Sequence, residues 1–137
     1  MIVTIDFNSD EALYIQLRNQ IILSIAMSEI QEGDNLPSVR ELAENIGINM
    51  HTVNKAYTIL KQEGYVKLDR RKGAVIAVDC NKEHTLIQLR ERLRVILAQA
   101  ICKNVTVDEI HQIVDTICQE FCEDGKAGSR NQRSAGT

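Results

Sequence analysis

A chain of 137 residues, 44% hydrophobic and 26% charged, has the make-up of one soluble globular domain with an appendage. Its longest apolar run, residues 21–27 broken by Ser24, is far short of the roughly 20 residues that a membrane-spanning helix needs. The net charge of −3 argues against nucleic acid until its distribution is read: one basic and six acidic side chains fall in residues 1–35, seven and four in 36–78, eight and nine in 79–137.

Taken in order, residues 2–6 form a short strand or an ordered arm. Asp6, Asp10 and Glu11 stand where a signal peptide would carry Lys or Arg. Ser9 or Asp10 caps a first helix over residues 11 to about 30, because Leu13, Leu17, Ile21 and Ile25 recur every four residues. Glu32-Gly33-Asp34-Asn35 is a connecting loop. Ser38 then N-caps a second helix, and Glu41 three residues on completes a capping box. Leu42, Ala43 and Ile46 line that helix and Gly47 stops it. Asn49 caps a third helix with the stripe Val53, Ala56, Tyr57 and Leu60, ended by Gly64. The spacing Ala43-x3-Gly47-x5-Val53 is that of a helix-turn-helix: a small residue for close approach, a glycine for the turn, a valine packing back. In such motifs the second helix enters the DNA major groove.

Residues 65–68 alternate like a strand, residues 69–73 make a basic turn, and residues 74–78 are a second strand rich in β-branched residues. This hairpin is the wing of a winged helix. After a linker over residues 79–82, a helix over residues 83–102 carries Leu86, Leu89, Leu93, Ile96 and Ala100 three and four apart, a seam that needs a partner. Thr106 and Glu109 form a capping box for a last helix, to about residue 122, with the stripe Ile110, Ile113, Val114, Ile117 and Phe121. Two such helices cannot close a core alone; they pack on the winged helix, on a second subunit, or on both. From residue 124 the Gly/Ser/Arg/Asn-rich sequence reads as a disordered tail.

Leu36-Pro37-Ser38-Val39-Arg40-Glu41-Leu42-Ala43 resembles the Leu-Pro-Ser-x-Arg-Glu-Leu-Ala signature of the GntR family of bacterial transcription regulators. Asn49-x-x-Thr52-Val53-x-Lys55-Ala56-Tyr57, followed by Glu63-Gly64, is similar to its small YtrA-type branch. The likeness covers residues 12–78 well and the remainder by size and helical pattern. The expected fold is therefore mainly α with a small β-hairpin: a winged helix-turn-helix DNA-binding domain over residues 1–78, a two-helix dimerisation segment over 79–123 and a disordered tail over 124–137. In the wing the family usually has Arg-Gly-x-Gly-Thr, whereas this chain has Arg70-Arg71-Lys72-Gly73-Ala74; Gly73 matches the second glycine.

Candidate DNA contacts follow from charge placed against helix preference. A cation in a helix's first turn opposes the helix dipole, so Arg40 is not there for stability. The resemblance implies that it touches DNA. With Ser38 at the cap before it, the second candidate group is Asn49, His51, Thr52, Asn54 and Lys55 at the start of the third helix, beside Met50. None is acidic, which suits a surface meeting phosphate and base edges. Arg70, Arg71, Lys72 and Gly73 of the wing, with Lys67, suit phosphate. The bland alternatives are capping with solvent exposure for the helix starts, and lysines guarding an edge strand for the wing. Tyr57 is expected in the core. His111, Cys118 and Cys122, with Asp115 between them, share one helix side, yet no Cys-x2-Cys pair is present. The four cysteines, Cys80 and Cys102 included, are therefore expected to be buried reduced thiols in a cytosolic protein, with no metal and no cofactor.

The sequence thus points to a cytoplasmic, dimeric repressor that binds a double-stranded operator arranged as an inverted repeat. The homodimer is expected through Leu86, Leu89, Leu93, Ile96, Ile110, Ile113, Ile117 and Phe121. The YtrA-type resemblance implies control of a transporter-type operon that includes the regulator's own gene. A small-molecule effector, if one exists, should bind at the subunit interface or between the helix pair and the DNA-binding head. A metal- or thiol-redox-responsive sensor using the C-terminal Cys and His residues, and a winged helix used for protein contacts, are the rival readings. No nucleophile-base-orienter set argues for an enzyme.

Overall fold

Ser38 and Asn49 each begin a helix, and the rest of the head is built around the pair. The computed structural model of the chain describes residues 3–124. Its elements are α1 (Leu13–Ala26), α2 (Val39–Ile46), α3 (Met50–Gln62), β1 (Val66–Asp69), β2 (Gly73–Ile76), α4 (Lys82–Cys102) and α5 (Val107–Asp124). Gly47 takes a left-handed conformation at φ 72°, ψ 38° and closes α2, its amide donating to the Ala43 carbonyl at 2.9 Å. That turn sets α3 against both α2 and α1. Val53, Ala56, Tyr57 and Leu60 of α3 are buried with Leu17 and Ile21 of α1, Leu42 and Ala43 of α2, and Val66, Ala74 and Ile76 of the hairpin. Burial of each large apolar side chain in this set contributes about 1.5–3 kcal/mol.

The helix-turn-helix and the hairpin form as expected; two segments differ from the sequence reading and a third decides between its alternatives. First, α1 is shorter at both ends, running over Leu13–Ala26. Its N-cap is Ala12, with no side-chain cap, and Ser9 instead accepts from the Glu11 amide at 3.1 Å in the turn before the helix. At the other end Ser28 sits at φ 61° and the Glu29 amide returns to the Ser24 carbonyl at 2.9 Å, which unwinds the helix before residue 30.

Second, of the strand and the ordered arm that the sequence allowed before α1, the chain forms the ordered arm. Gln16 is buried and takes the arm's backbone as if it were a neighbouring strand: Oε1 accepts from the Asp6 amide at 2.9 Å, and Nε2 donates to the carbonyls of Asp6 and Glu11, each at 3.0 Å. One turn on, Gln20 repeats the exchange with the amide and carbonyl of Thr4. Two glutamine amides at i and i+4 thus meet two arm residues at i and i+2.

Third, the expected loop over residues 32–35 is an extra rung on the wing. The Leu36 amide donates to the Ala74 carbonyl at 2.9 Å, Ile76 donates to Asp34 at 2.8 Å and Gly33 donates to Ile76 at 2.9 Å. The β1–β2 pair is antiparallel with Val66 opposite Ile76 and Asp69 opposite Gly73. The wing therefore has a partner on the β2 side, and this backbone runs directly into α2.

Beyond the head, α4 begins at the N-cap Asn81, whose Oδ1 accepts from the His84 amide at 3.2 Å. The Thr106–Glu109 capping box forms in both directions, at 2.9 and 3.1 Å, and these bonds hold the Glu109 carboxyl below its ordinary range. No residue of α4 is buried. Its seam residues Leu86, Leu89, Leu93 and Ile96 are 36–57% exposed, Ile113 and Ile117 of α5 are exposed, and Ile110 and Phe121 are half-buried. The tail expected from residue 124 lies outside the described residues, except for Asp124 itself, which ends α5.

Tyr57 is a core residue, as expected, and its hydroxyl donates to the Pro37 carbonyl at 2.8 Å, fastening α3 to the chain that enters α2. Burial, and then the nearby charge of Glu41, raise its pKa well above the ordinary 10.0. A raised folded value means that the stabilisation is complete below pH 10 and is lost as the pH climbs beyond it. Tyr57→Phe should cost about 0.5–1.5 kcal/mol at neutral pH. It should also flatten the fall of stability above about pH 10 in urea melts; identical alkaline slopes for the two proteins would contradict this account.

Candidate nucleic-acid interface

The start of α2 presents Ser38 and Arg40 to solvent. Ser38 Oγ accepts from the Glu41 amide at 3.1 Å, so the cap is made. Among the described residues the return half of the capping box is not: the Glu41 carboxylate makes no bond to the Ser38 amide and lies instead where its charge acts on Tyr57. Arg40 is exposed and has no ion-pair or hydrogen-bond partner among the described residues.

At the start of α3, Asn49 Oδ1 accepts from the His51 amide at 2.7 Å. The cap thus uses the side-chain oxygen of Asn49 and leaves its Nδ2 as a donor. Met50, His51, Asn54 and Lys55 are exposed, Thr52 is half-buried, and the first turn holds no acidic residue. Lys55 does not simply extend outward. Its ammonium lies 4.0 Å from the centroid of the Tyr14 ring on α1. The sequence reading missed Tyr14, which falls outside the helix-turn-helix pattern altogether.

The wing's turn is ordered by a residue that the sequence reading left aside. Asp69 Oδ1 accepts from the Arg71 amide at 2.8 Å and from the Lys72 amide at 3.1 Å, and these two backbone donors hold its carboxyl below the usual range. Gly73 follows at φ 81°, with open space where a Cβ would point. Arg70, Arg71, Lys72 and Lys67 are exposed around this turn. Asn35 Nδ2 donates to the Lys72 carbonyl at 2.5 Å, tying the wing's tip to the segment that leads into α2. An Asp at the head of a turn is a recognised signal, so Asp69 could have been found; Asn35 could not, because its partner is 37 residues away.

Behind this surface an open cleft of about 550 Å³ lies between the end of α3 and the first turns of α4. Arg18 and Glu63, paired at 2.7 Å, line it with Tyr65, Asp79, Leu89 and Arg92. The expectation that the cysteines are buried fails for the single chain: Cys80, in the linker before α4, is exposed, and Cys102 and Cys118 are exposed and Cys122 half-buried because α4 and α5 bury so little of themselves. Among the described residues no three His, Cys, Asp or Glu side chains gather around a point that could hold a metal ion. No helix of the described chain is long and apolar enough to cross a membrane.

Residues 11–76 match the family described as bacterial regulatory proteins, gntR family. The chain is 31% identical over 134 residues to the HTH-type transcriptional repressor YtrA of Bacillus subtilis, covering 94% of this chain and 98% of that protein. Among solved structures it is similar to a transcriptional antiterminator from Listeria monocytogenes EGD-e, with a TM-score of 0.80 at 29% identity over 88% of this chain and 92% of that one. So long a match takes in the C-terminal helices as well as the head. It is also similar to YtrA from Sulfolobus acidocaldarius, a GntR-family transcription factor, with a TM-score of 0.54 at 39% identity over 86% and 97% of the two chains.

The wing's turn depends on an ionised Asp69. Its depressed pKa means that the ordering is complete above the ordinary carboxylate range and is lost as the pH falls through the depressed value. Amide exchange should find Arg71 and Lys72 protected at neutral pH and unprotected in Asp69→Ala, with the core amides of α3 unchanged. Equal protection in the variant would mean that the turn holds itself without the carboxylate.

Proposed function

The chain belongs to the GntR family, and we propose that it acts as a dimeric, cytoplasmic repressor that binds an inverted-repeat operator through the starts of α2 and α3 and through the wing. One observation carries the reading. The start of α3 has an exposed side that holds no carboxylate and offers Asn49, Met50, His51 and Asn54, while its other side is locked into the core by Val53 and Ala56. Anionic DNA suits such a helix start, whose dipole already favours negative charge.

On this reading residues 1–78 bind DNA. Ser38, Arg40, Asn49, His51, Thr52, Asn54 and Lys55 meet the DNA from the two helix starts, and Arg70, Arg71, Lys72 and Gly73 lie along the phosphates. Residues 79–123 form the dimer. The exposed seam of α4 and the exposed Ile113 and Ile117 of α5 support that role, since apolar surface of this extent needs a partner. The Bacillus subtilis relative is a transcriptional repressor, which supports repression. Regulation of a transporter-type operon including its own gene remains part of the proposal, to be tested by binding-site selection followed by a gel shift on the regulator's upstream region. An effector acting between the head and the helix pair would have the Arg18–Glu63 cleft as its place.

Truncation after residue 78 should yield a monomeric head with much weaker operator binding, because the second head's contribution is lost. A truncated protein that sediments as a dimer would refute the assignment of the interface to α4 and α5.

Base contacts carry discrimination and phosphate contacts carry salt-dependent affinity. Arg40→Ala should cost roughly 1–3 kcal/mol on the operator and much less on random DNA. Arg71→Ala with Lys72→Ala should weaken both DNAs alike and lower the salt slope by about one per phosphate contact removed. If Arg40→Ala weakened both DNAs equally and reduced the slope, Arg40 would be a phosphate anchor, and base reading would fall to the start of α3 alone.

A further inference from the structure

We propose that Tyr14 is a positioning residue of the DNA interface, and that it seats Lys55 as a phosphate anchor; this rests on the reading that the start of α3 meets DNA. Lys55 Nζ stands 4.0 Å from the centroid of the Tyr14 ring, well within the range of about 6 Å over which a cation is drawn to an aromatic face. The two residues come from different helices, α1 and α3, which pack against each other through the core. Tyr14 is half-buried and packed on that core, so its ring is a fixed platform. Lys55 is exposed, so the rest of its ammonium is open to an incoming anion.

The consequence is a division of labour along α3. His51, Asn54 and Thr58 follow one another at helical spacing on the exposed side. Lys55 leans from that row toward α1, at the flank of the helix, where a duplex presents its backbone to a helix lying in the groove. A lysine ammonium is a compact charge with three donors, suited to a phosphate oxygen and lacking the planar fork that reads guanine with two parallel bonds. A free lysine loses much rotamer freedom when it binds. The ring removes part of that freedom before DNA arrives, and the affinity gained is independent of sequence.

The test measures affinity for operator and random duplex at several salt concentrations. Lys55→Met should weaken both DNAs by the same factor and lower the salt slope by about one. Tyr14→Phe, which keeps the ring, should match the wild type. Tyr14→Leu should weaken both DNAs by about two- to fivefold, and this effect should vanish when Lys55 is already Met. Tyr14 also packs on the core, so a second measurement needs no variant of it: the Lys55 ε-methylene protons of the wild type should show an upfield ring-current shift in NMR spectra. Absence of that shift overturns the proposal. So does a Tyr14→Leu effect of equal size in the Lys55→Met background, or a Lys55→Met loss confined to the operator, which would make Lys55 a base reader. Wild-type protein that bound no duplex would overturn the DNA reading itself. Wild-type protein that binds while Lys55→Met leaves the slope unchanged overturns this inference alone.

Discussion

The burial of one side of α3 is the constraint on which the head depends. Val53, Ala56, Tyr57 and Leu60 meet α1, α2 and the hairpin at once, and none of those elements has a core without them. The left-handed turn at Gly47 makes this geometry reachable, since a residue with a Cβ would be strained at φ 72°. The Tyr57–Pro37 bond then fixes α3 relative to the start of α2. Because one side of α3 is so firmly held, the other is presented on a fixed frame, which suits the DNA-reading role proposed for it.

That surface sacrifices some local helix stability. A carboxylate in the first turn of α3 would favour the helix dipole, and Arg40 in the first turn of α2 opposes it. Asn49 and Ser38 offset part of this through side-chain caps that carry no net charge. The same economy of charge orders the wing: Asp69 spends its carboxylate on two backbone amides, so the neighbouring cations remain exposed.

Connections made by side-chain amides hold the periphery. Gln16 and Gln20 bind the arm as a strand would, and Asn35 joins the wing's tip to the approach to α2. These bonds carry no charge, so salt has little effect on them, unlike the phosphate contacts proposed for the same region. The C-terminal helices obey a different logic. Each begins with a side-chain cap and is regular, yet most of their large apolar side chains stay exposed in the single chain, so their local sequence specifies helix without specifying what the helices pack on.

Periodic and local features were legible in the sequence by itself. The helix-turn-helix, its core stripe, both caps, the hairpin and the two C-terminal helices follow from i, i+3 and i+4 spacing, from period-two alternation around a basic turn, from Ser, Asn and Thr at helix starts, and from Gly47 at the helix end. Family membership was legible for the same reason, because the signature is those residues in order. What only the tertiary structure decided are the contacts between residues distant in the chain. The pairing of residues 33–36 with β2, the seat of Lys55 on Tyr14, the grip of Gln16 on the arm and the exposure of the cysteines leave no periodic mark. A buried glutamine or a stacked tyrosine looks the same in sequence as a solvated one; the glutamine's partner exists only once the arm has folded back along α1, and the tyrosine's only once α1 has been laid against α3.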